Sequence, residues 1–423
     1  VATFVALLVL GLPLAWTMGA TAVIFTVGLF EPSTMFMTMT RVFHMMLNYT
    51  LVSVPLFVLM GCILEKSGVA EQLFDAVYVW SGRLRGGLAI GTIIACVVMA
   101  AMVGIVGAEI VTFGLIALPQ MLDRGYDKGL ALGCITSGGG MATLIPPSVV
   151  FIVYGMTAGV SIGDLFIAGI IPGILIGLGQ ILVAYIISKR QGYGSEEPFS
   201  LRTAWSTGIR SIPVVLLAGI IIGGIMGGIF TPTEAAAVAV IYAFVLSAFV
   251  YRDLTVKSFY TALKESALIT GSVMLVISVA NLLGWVLAYA KIPQLLVNPV
   301  LSLTSSPVVF MWLASLVLIA AGVFMHGTAM LVVLAPLFLP IVAKLGIHPL
   351  QFAMVFIMCW GIGQQTPPVA SALFITCSLA EVDMWTVTKA NVPFIAVLVG
   401  VLAGIIHLPT LFVFWVPRMF GLM

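Results

Sequence analysis

A set of glycines and prolines recurs in this chain at one fixed separation. Leu118 and Pro119 are matched by Leu339 and Pro340, 221 residues later. The same separation relates Gly125 to Gly346, Gly140 to Gly361, Pro146-Pro147 to Pro367-Pro368, Pro172 to Pro393, and Gly179 to Gly400. Self-similarity at a fixed spacing is the signature of a duplicated structural unit. The chain is therefore predicted to contain two equivalent halves.

Most residues between these markers are apolar. Of the 423 residues, 62% are hydrophobic and 8% are charged, whereas about 25% are charged in an average soluble domain. A soluble globule cannot bury that much apolar surface, and the composition also excludes a disordered chain and a basic nucleic-acid-binding patch. The apolar stretches are continuous and do not alternate, which disfavours a β-barrel. The predicted fold class is an all-α polytopic membrane protein.

Two apolar stretches are too long for one membrane crossing. Residues 86–119 and 307–340 contain 34 residues each. A straight helix of that length would measure about 50 Å, and the hydrocarbon layer is about 30 Å thick. Each stretch has a weakly polar centre with glycine, at residues 104–109 and 323–329. We predict that each folds back there as a re-entrant helical hairpin, which a membrane protein tolerates where the hairpin is buried in protein or lines a cavity.

The positions of the basic residues predict opposite orientations of the two halves in the membrane. Arg83 and Arg85 precede the first hairpin, and Arg124 and Lys128 follow it, so both of its ends are predicted to be cytoplasmic. Crossings counted from the basic connector at residues 189–210 bring the second hairpin in from the outside. Inverted repeats with broken elements at the midplane are typical of secondary transporters. The same symmetry predicts that both chain termini are on the outer side.

A cluster of helix-breaking residues follows each hairpin. The clusters are SGGGMATLIPPS at 137–148 and GIGQQTPPVAS at 361–371. Glycine and proline both weaken a helix, so each crossing is predicted to unwind locally. Carbonyl groups freed inside a membrane need partners, and a desolvated sodium ion is one such partner. The half-helix N-termini would offer positive dipole ends to an anion. The alternative is a simple proline kink packed by its neighbours.

Two ionisable residues lie at the predicted hairpin tips. A carboxylate near membrane depth, here Glu109, is a candidate for a substrate or proton role; it could instead cap a helix or face an aqueous cavity. We expect His326 to form a hydrogen bond or to cap its tip, because the other histidines have no metal-ligand spacing. Thr231 and Glu234 predict a capping box at the start of another helix.

Motifs of several other function classes are absent from the sequence. There is no GxxxxGK[ST], HExxH or dinucleotide fingerprint, no arginine ladder and no TVGYG-like filter. An enzyme is therefore not expected. An ion channel, and an intramembrane enzyme that uses Glu109 with His326, are the less favoured alternatives.

Several short motifs occur along the whole chain. They are PLF at 55–57 with Gly61, RGGL at 85–88, RGYD at 124–127, IPPS at 145–148, GGIFTPTEAAA at 227–237, GTA at 327–329 and TPP at 366–368. This set resembles the large membrane (M) subunit of tripartite ATP-independent periplasmic (TRAP) transporters, the DctM-like family.

The resemblance implies a sodium-coupled, elevator-type importer of an organic acid in the bacterial inner membrane, with periplasmic termini. Na⁺ would be the coupling ion, and no cofactor is implied. A small four-helix membrane (Q) subunit, expected as a separate chain, would bind the scaffold, and a soluble periplasmic substrate-binding (P) protein would deliver the substrate. Proton coupling is the alternative. Sialic acid, C4-dicarboxylates and keto acids all stay open as substrates.

The resemblance also places a sodium ion between each hairpin tip and the unwound loop that follows it. Sodium site one would use Gly104, Gly107, Ser137, Gly138, Gly140 and Thr143. Sodium site two would use Gly327, Thr328, Gly361, Gln364 and Thr366. The substrate would lie between the tips, near Ser148, Thr328, Ser371 and Glu109. Family members often carry serine at the first tip and Asp before the second Gly-Thr. Here the first tip has no hydroxyl and His326 replaces the acid, so the tip would supply backbone carbonyls alone to site one, or site one would bind sodium more weakly.

These elements predict a division of the chain into a transport domain and a scaffold. The two halves of the transport domain would be 86–164 and 307–380, with hairpins at 86–123 and 307–344 and broken helices at 128–160 and 349–380. The scaffold would comprise 1–85, 165–290 and 391–423, with the cytoplasmic connector at 189–210.

Overall fold

The computed structural model describes residues 3–4, 7, 10, 12–29, 34–82, 84–104, 107–193 and 201–419. Its regular elements within these ranges are all helices. Seven of the helices are long and apolar enough to cross a membrane, or up to eight if one bent pair, Tyr49–Glu65 with Val69–Ser81, counts as a span. The predicted all-α membrane fold is confirmed. Part of the predicted connector, residues 194–200, lies outside the described ranges.

The described part of the first half folds into nine helices. They are α1 (Leu14–Leu29), α2 (Thr34–Met46), α3 (Ser53–Glu65), α4 (Val69–Ser81), α5 (Gly87–Val103), α6 (Ala108–Asp123), α7 (Lys128–Gly140), α8 (Val149–Ala158) and α9 (Ile162–Gln191). The helices α5 and α6 form hairpin 1, and α7 and α8 are the two pieces of the first broken helix.

A further helix, α10 (Leu201–Met226), leads into the second half. The helices that follow are α11 (Pro232–Val245), α12 (Val256–Tyr289), α13 (Ile292–Leu303), α14 (Pro307–Phe324), α15 (Gly327–Lys344), α16 (Pro349–Gly363), α17 (Ser371–Ala380), α18 (Met384–His407), α19 (Pro409–Phe412) and α20 (Trp415–Met419). The helices α14 and α15 form hairpin 2, and α16 and α17 are the second broken helix. The predicted capping box begins α11, where Thr231 Oγ1 accepts from Glu234 N at 3.3 Å and Glu234 Oε2 accepts from Thr231 N at 2.8 Å.

The helices of the two halves keep the 221-residue offset of the sequence. Adding 221 to the bounds of α6 gives 329–344, and α15 covers Gly327–Lys344. The offset also relates α1 to α11 and α4 to α13, so the duplication reaches further toward the N-terminus than the glycine and proline markers. One difference is that α12 runs unbroken for 34 residues. Its counterpart is divided into α2 and α3 by a turn that Asn48 caps.

Contacts between the halves are reciprocal. Hairpin 1 contacts the second broken helix through α6 and α17, and hairpin 2 contacts the first broken helix through α15 and α8. In the same way α7 packs on α18, and α16 packs on α9. Exchanged contacts of this kind are what a two-fold relation produces. Each half of the described fold thus contains a pair of helices joined near the predicted tip, followed by a broken helix.

The long helix α9 packs along hairpin 1 and the first broken helix. Its glycines at 169, 173 and 177 allow the approach, because Cβ atoms there would meet Pro146, Ile145 and Val97 at 2.7, 3.3 and 3.2 Å. The helix α18 packs on α7 and α16. Both α9 and α18 therefore pack on the hairpins or broken helices, although they lie in the ranges 165–290 and 391–423 that the sequence assigned to a scaffold. Hydropathy gives the length of a span but not the neighbour on which it packs.

Two shorter helices, α4 and α13, precede the hairpins and were not predicted from the sequence. The helix α4 buries Leu73 and Phe74 and exposes Glu71 and Asp75, so it is amphipathic. It packs on the first arm of hairpin 1, α5, whereas its repeat counterpart α13 packs on the second arm of hairpin 2, α15. The two hairpins therefore stand differently against the helices that precede them.

Candidate functional site

A cavity of about 360 Å³ lies where the hairpins and the broken helices meet α3 and α12. The hairpin tips and broken helices contribute Gly104, Thr143, Val149, Val150, His326, Thr328 and Trp360, and α3 and α12 contribute Val58, Leu268, Ile269, Ser272 and Val273. None of these lining residues is Asp, Glu, Lys or Arg. The structure thus brings the predicted residues Gly104, Thr143 and Thr328 to one space. The predicted substrate contacts Ser148, Ser371 and Glu109 are not among the lining residues.

The first hairpin tip rests on the end of the first unwound segment. Gly104, which ends α5, has φ +63°, and a Cβ atom there would lie 3.1 Å from the Pro147 carbonyl oxygen. Gly107 precedes α6 with φ +108°. Side chains at either position would strain the tip, and at Gly104 one would also displace the segment behind it. The predicted tip residues 105 and 106 lie outside the described part of the chain.

Both broken helices unwind at the predicted clusters. The first ends at Gly140, passes through a 3₁₀ turn at Met141–Thr143 and restarts at α8. Ser148 caps that restart, because its Oγ accepts from Val150 N at 3.3 Å. The second breaks between Gly363 and Ser371. The peptide bonds Pro146-Pro147 and Pro367-Pro368 are both cis. The breaks expose loop backbone to the hairpin tips.

One glutamine, Gln364, forms hydrogen bonds between the two unwound loops, and its neighbour Gln365 bonds within its own half of the chain. Gln364 Nε2 donates to the Gly140 carbonyl at 3.1 Å and to Thr143 Oγ1 at 3.3 Å. Gln365 Nε2 donates to the Gly361 carbonyl at 3.1 Å, and Asn391 Nδ2 of α18 donates to Gln365 Oε1 at 3.1 Å. The predicted site-two residue Gln364 therefore reaches the first loop. This hydrogen bonding between the loops was not predicted, and the two glutamines within the second cluster were its only sequence signal.

Several buried oxygen atoms near these loops have no hydrogen-bond partner among the described residues. They belong to Ser137, Glu109, Thr328, Gln364 (Oε1) and Asn391 (Oδ1). Each unsatisfied buried group costs about 1–3 kcal/mol unless water or an ion supplies the missing contact. The largest of these free-energy costs is expected for the two carboxylate oxygens of Glu109, a residue that is only 1% exposed. Glu109 neither caps α6 through its side chain nor faces the cavity.

Ser137 and Glu109 lie on elements that approach each other closely. A Cβ atom at Gly138 would lie 2.8 Å from Cys96 Sγ in α5, and a Cβ atom at Gly139 would lie 3.0 Å from the backbone nitrogen of Ile110. The glycines of the first cluster therefore let α7 pack directly against both arms of hairpin 1. The helices that carry Ser137 and Glu109 are therefore in direct contact.

The second hairpin tip packs on Trp360. Gly327 begins α15, and a Cβ atom there would overlap the Trp360 ring. Thr328 lies in the first turn and is 4% exposed. The expected capping by His326 is not made, because its side chain forms no cap hydrogen bond. Its ring instead stands edge-on to Trp360, with 6.1 Å between the centroids. The role of Trp360 as a cavity wall was not predicted.

The other predicted site-two residues belong to the second broken helix and its loop. The Thr366 hydroxyl donates to the Ile362 carbonyl at 2.8 Å. A Cβ atom at Gly361 would lie 2.9 Å from Leu144, so Gly361 also faces the first loop. The second loop touches hairpin 2 at its far end, where Ala370 N donates to the Val323 carbonyl at 3.3 Å.

A family profile and two known proteins that are similar to this chain indicate the same family. A family profile described as "Tripartite ATP-independent periplasmic transporter, DctM component" matches residues 1–411. The C4-dicarboxylate TRAP transporter large permease protein DctM of Pseudomonas aeruginosa is 36% identical over 384 residues, which cover 91% of this chain and 90% of that protein. The protein of the same name from Vibrio cholerae serotype O1 is 33% identical over 439 residues, covering 98% and 96%.

A solved structure agrees with the architecture. The crystal structure of the Alcanivorax borkumensis YdaH transporter covers 96% of this chain and 97% of its own, with a TM-score of 0.61 and 16% identity. At that identity the likeness concerns the fold alone. The family profile and the similarity to the two large permeases go further: the chain belongs to the DctM family, the large membrane subunits of TRAP transporters.

Proposed function

We propose that this chain carries out sodium-coupled uptake of an organic acid anion by an elevator movement. Membership of a TRAP family implies a small membrane (Q) subunit, here proposed as a separate chain, and a periplasmic binding (P) protein. The names of the C4-dicarboxylate relatives favour a carboxylate substrate. The observation that carries the proposal is that two hairpin tips, the first unwound loop and α16 of the second broken helix line one cavity, with unpartnered buried oxygens nearby.

Sodium site one has oxygen ligands of the kind that a hard cation prefers. The Ser137 hydroxyl and the loop carbonyls near Gly138 and Gly140 lie on α7, which packs on hairpin 1. Glu109 would add a full negative charge that the described part of the chain does not neutralise. Sodium bound there would remove the cost of burying that charge. We therefore add Glu109 to sodium site one and no longer place it with the substrate.

Sodium site two is supported by fewer atoms. The Thr328 hydroxyl is buried without a partner at the tip of hairpin 2, and Gly327 and Thr366 complete the proposed set. Gly361 and Gln364 face the first loop, so their proposed role is to connect the two sites. An ion that orders one loop would thereby change the other.

The proposed moving part consists of α5–α9 and α14–α18. The proposed scaffold includes α1, α3, α11 and α12, which pack on one another as α1 on α12 and α3 on α11. The cavity lies between these two groups, because α3 and α12 supply one wall and the tips supply the other. A displacement of the moving part would carry the cavity contents past the scaffold wall.

The test is uptake into proteoliposomes that contain the large and small membrane subunits, with the binding protein added outside. Radiolabelled succinate, 4-methyl-2-oxopentanoate, phenylacetate and N-acetylneuraminate would be offered under an inward sodium gradient or an inward proton gradient. We expect accumulation above equilibrium of at least one acid with sodium only. Accumulation driven by protons without sodium would favour the proton-coupled alternative, and equilibration without accumulation would favour a channel.

A further inference from the structure

We propose that the cavity selects a monocarboxylate with a compact apolar body, held with its carboxylate at the N-terminus of α15 and its body against Trp360. The inference rests on the proposed function, since it names the substrate class of the same transport cavity. It also differs from the C4-dicarboxylates that appear in the names of the Pseudomonas aeruginosa and Vibrio cholerae permeases.

The second hairpin tip would bind the carboxylate of the substrate. The 18-residue helix α15 begins at Gly327, and the amides of its first turn have no intrahelical acceptor. A helix N-terminus attracts anions through these amides and through its dipole. The Thr328 hydroxyl lines the cavity, is buried and has no partner, so it is a donor without an acceptor. The His326 ring flanks the same tip.

Away from the tip of hairpin 2, no side chain that lines the cavity is charged. Its other two hydroxyls are engaged: Thr143 accepts from Gln364 at 3.3 Å and lies 3.5 Å from the Gly140 carbonyl, and Ser272 donates to the Leu268 carbonyl at 2.9 Å. The remaining side chains of the wall are apolar, namely Val58, Val149, Val150, Leu268, Ile269 and Val273. A second carboxylate, or a chain of hydroxyls, would lose its water there without gaining partners.

Trp360 would contact the apolar part of the substrate. The indole is contacted from two sides, because Gly327 packs on the ring and a Cβ atom at Gly322 would lie 3.5 Å from Trp360 Cδ1. A rigid aromatic wall next to the anion end favours an aromatic ring or a branched aliphatic group attached close to the carboxylate. A volume of about 360 Å³ is at the small end of the range for ligand pockets.

The test measures ligand-dependent thermal stabilisation of the complex of large and small membrane subunits in saturating sodium. The probes are phenylacetate, 4-methyl-2-oxopentanoate, succinate and N-acetylneuraminate. We expect half-maximal stabilisation by at least one of the two apolar monocarboxylates at a concentration at least tenfold lower than for the other two acids. Thr328→Val should raise that concentration at least tenfold, and Trp360→Phe should raise it severalfold. The controls Thr157→Val and Trp312→Phe should leave it unchanged, since both residues lie outside the cavity lining.

Three outcomes would overturn the inference. They are tighter binding of succinate or N-acetylneuraminate, an unchanged affinity in a folded Thr328→Val variant, and no stabilisation by any of the four acids. The uptake assay with the binding protein judges the proposed function separately. Sodium-driven accumulation of succinate would therefore refute the substrate class and leave sodium-coupled transport standing.

Discussion

Gln364 donates a hydrogen bond from Nε2 to Thr143 Oγ1 at 3.3 Å, and the two residues occupy equivalent positions of the repeat, 221 residues apart. A contact between equivalent positions places them at the pseudo-two-fold relation between the halves. The neighbouring pairs are reciprocal as well, since Gly140 lies against Gln365 and Gly361 lies against Leu144. The two unwound loops are therefore parts of one connected centre.

Replacing Gln364 should disconnect the loops. In Gln364→Leu the Gly140 carbonyl and the Thr143 hydroxyl lose a donor, so we expect a stability loss of about 1–3 kcal/mol and a fall of at least tenfold in sodium-driven uptake. A matched control is Gln351→Leu in α16, the helix that ends just before Gln364, where Gln351 Nε2 donates to the carbonyls of Ile405 and Ile406. That variant should lose similar stability and keep its sodium dependence. Equal sodium dependence in the two variants would remove Gln364 from the coupling.

A double-mutant cycle isolates the contact between the loops. Thr143→Val removes the hydroxyl that accepts from Gln364, and the combined variant should lose less than the sum of the single losses. For residues in contact the interaction energy is about 0.5–3 kcal/mol. Unfolding of all four proteins in sodium measures it, and strict additivity would contradict a direct bond.

Neutralising Glu109 should have opposite effects with and without sodium. Its buried carboxylate has no described partner, so in choline Glu109→Gln should unfold at a higher temperature than the unmodified chain. In sodium the advantage should vanish or reverse, because the variant lacks the charge that the ion would neutralise. The readout is the difference between the two melting temperatures. If the variant kept the full rise in melting temperature that sodium produces in the unmodified chain, Glu109 would not be part of site one.

Cross-linking tests the proposed movement. Gly284 of α12 faces α15, where a Cβ atom would lie 3.9 Å from the Val332 carbonyl oxygen. In a variant without native cysteines, a short bifunctional reagent that joins G284C to V332C should abolish uptake, and reduction of a cleavable reagent should restore it.

A matched pair serves as the control for this cross-link. Gly19 of α1 faces Val279 of α12, with 3.1 Å between a Cβ atom and Val279 Cγ1. Both residues lie in the proposed scaffold, so joining G19C to V279C should leave uptake intact. Unimpaired uptake after complete linking of the first pair would contradict an elevator movement of hairpin 2 along α12.

The sequence predicted the features that depend on local chemistry. Glycine and proline weaken helices wherever they occur, so the hairpin tip at Gly104 and the loop between Gly140 and Ser148 could be located from the pattern. The hairpins followed from the length of the apolar runs against the thickness of a bilayer. The capping box at Thr231 is likewise a local pattern.

The features that the sequence did not predict depend on which helices pack together. The bond from Gln364 to Thr143 crosses between the halves, and nothing near either residue specifies it. The Trp360 wall depends on Gly327 of another helix. The grouping of α9 with hairpin 1 depends on glycines whose neighbours are distant in the chain. Hydropathy treats all spans alike, so it could not predict which helices pack on one another.

Sodium binding is the central claim, and the unfolding midpoint of the purified membrane complex in sodium chloride against choline chloride tests it most directly. We predict a saturable, sodium-specific rise, worth about 2.7 kcal/mol at a hundredfold excess over the dissociation constant. Ser137→Ala should reduce the rise. Ser315→Ala should retain it, because that buried hydroxyl already donates to the Met311 carbonyl at 2.7 Å. An unmodified complex whose midpoint is the same in sodium and choline at every concentration would contradict sodium coupling.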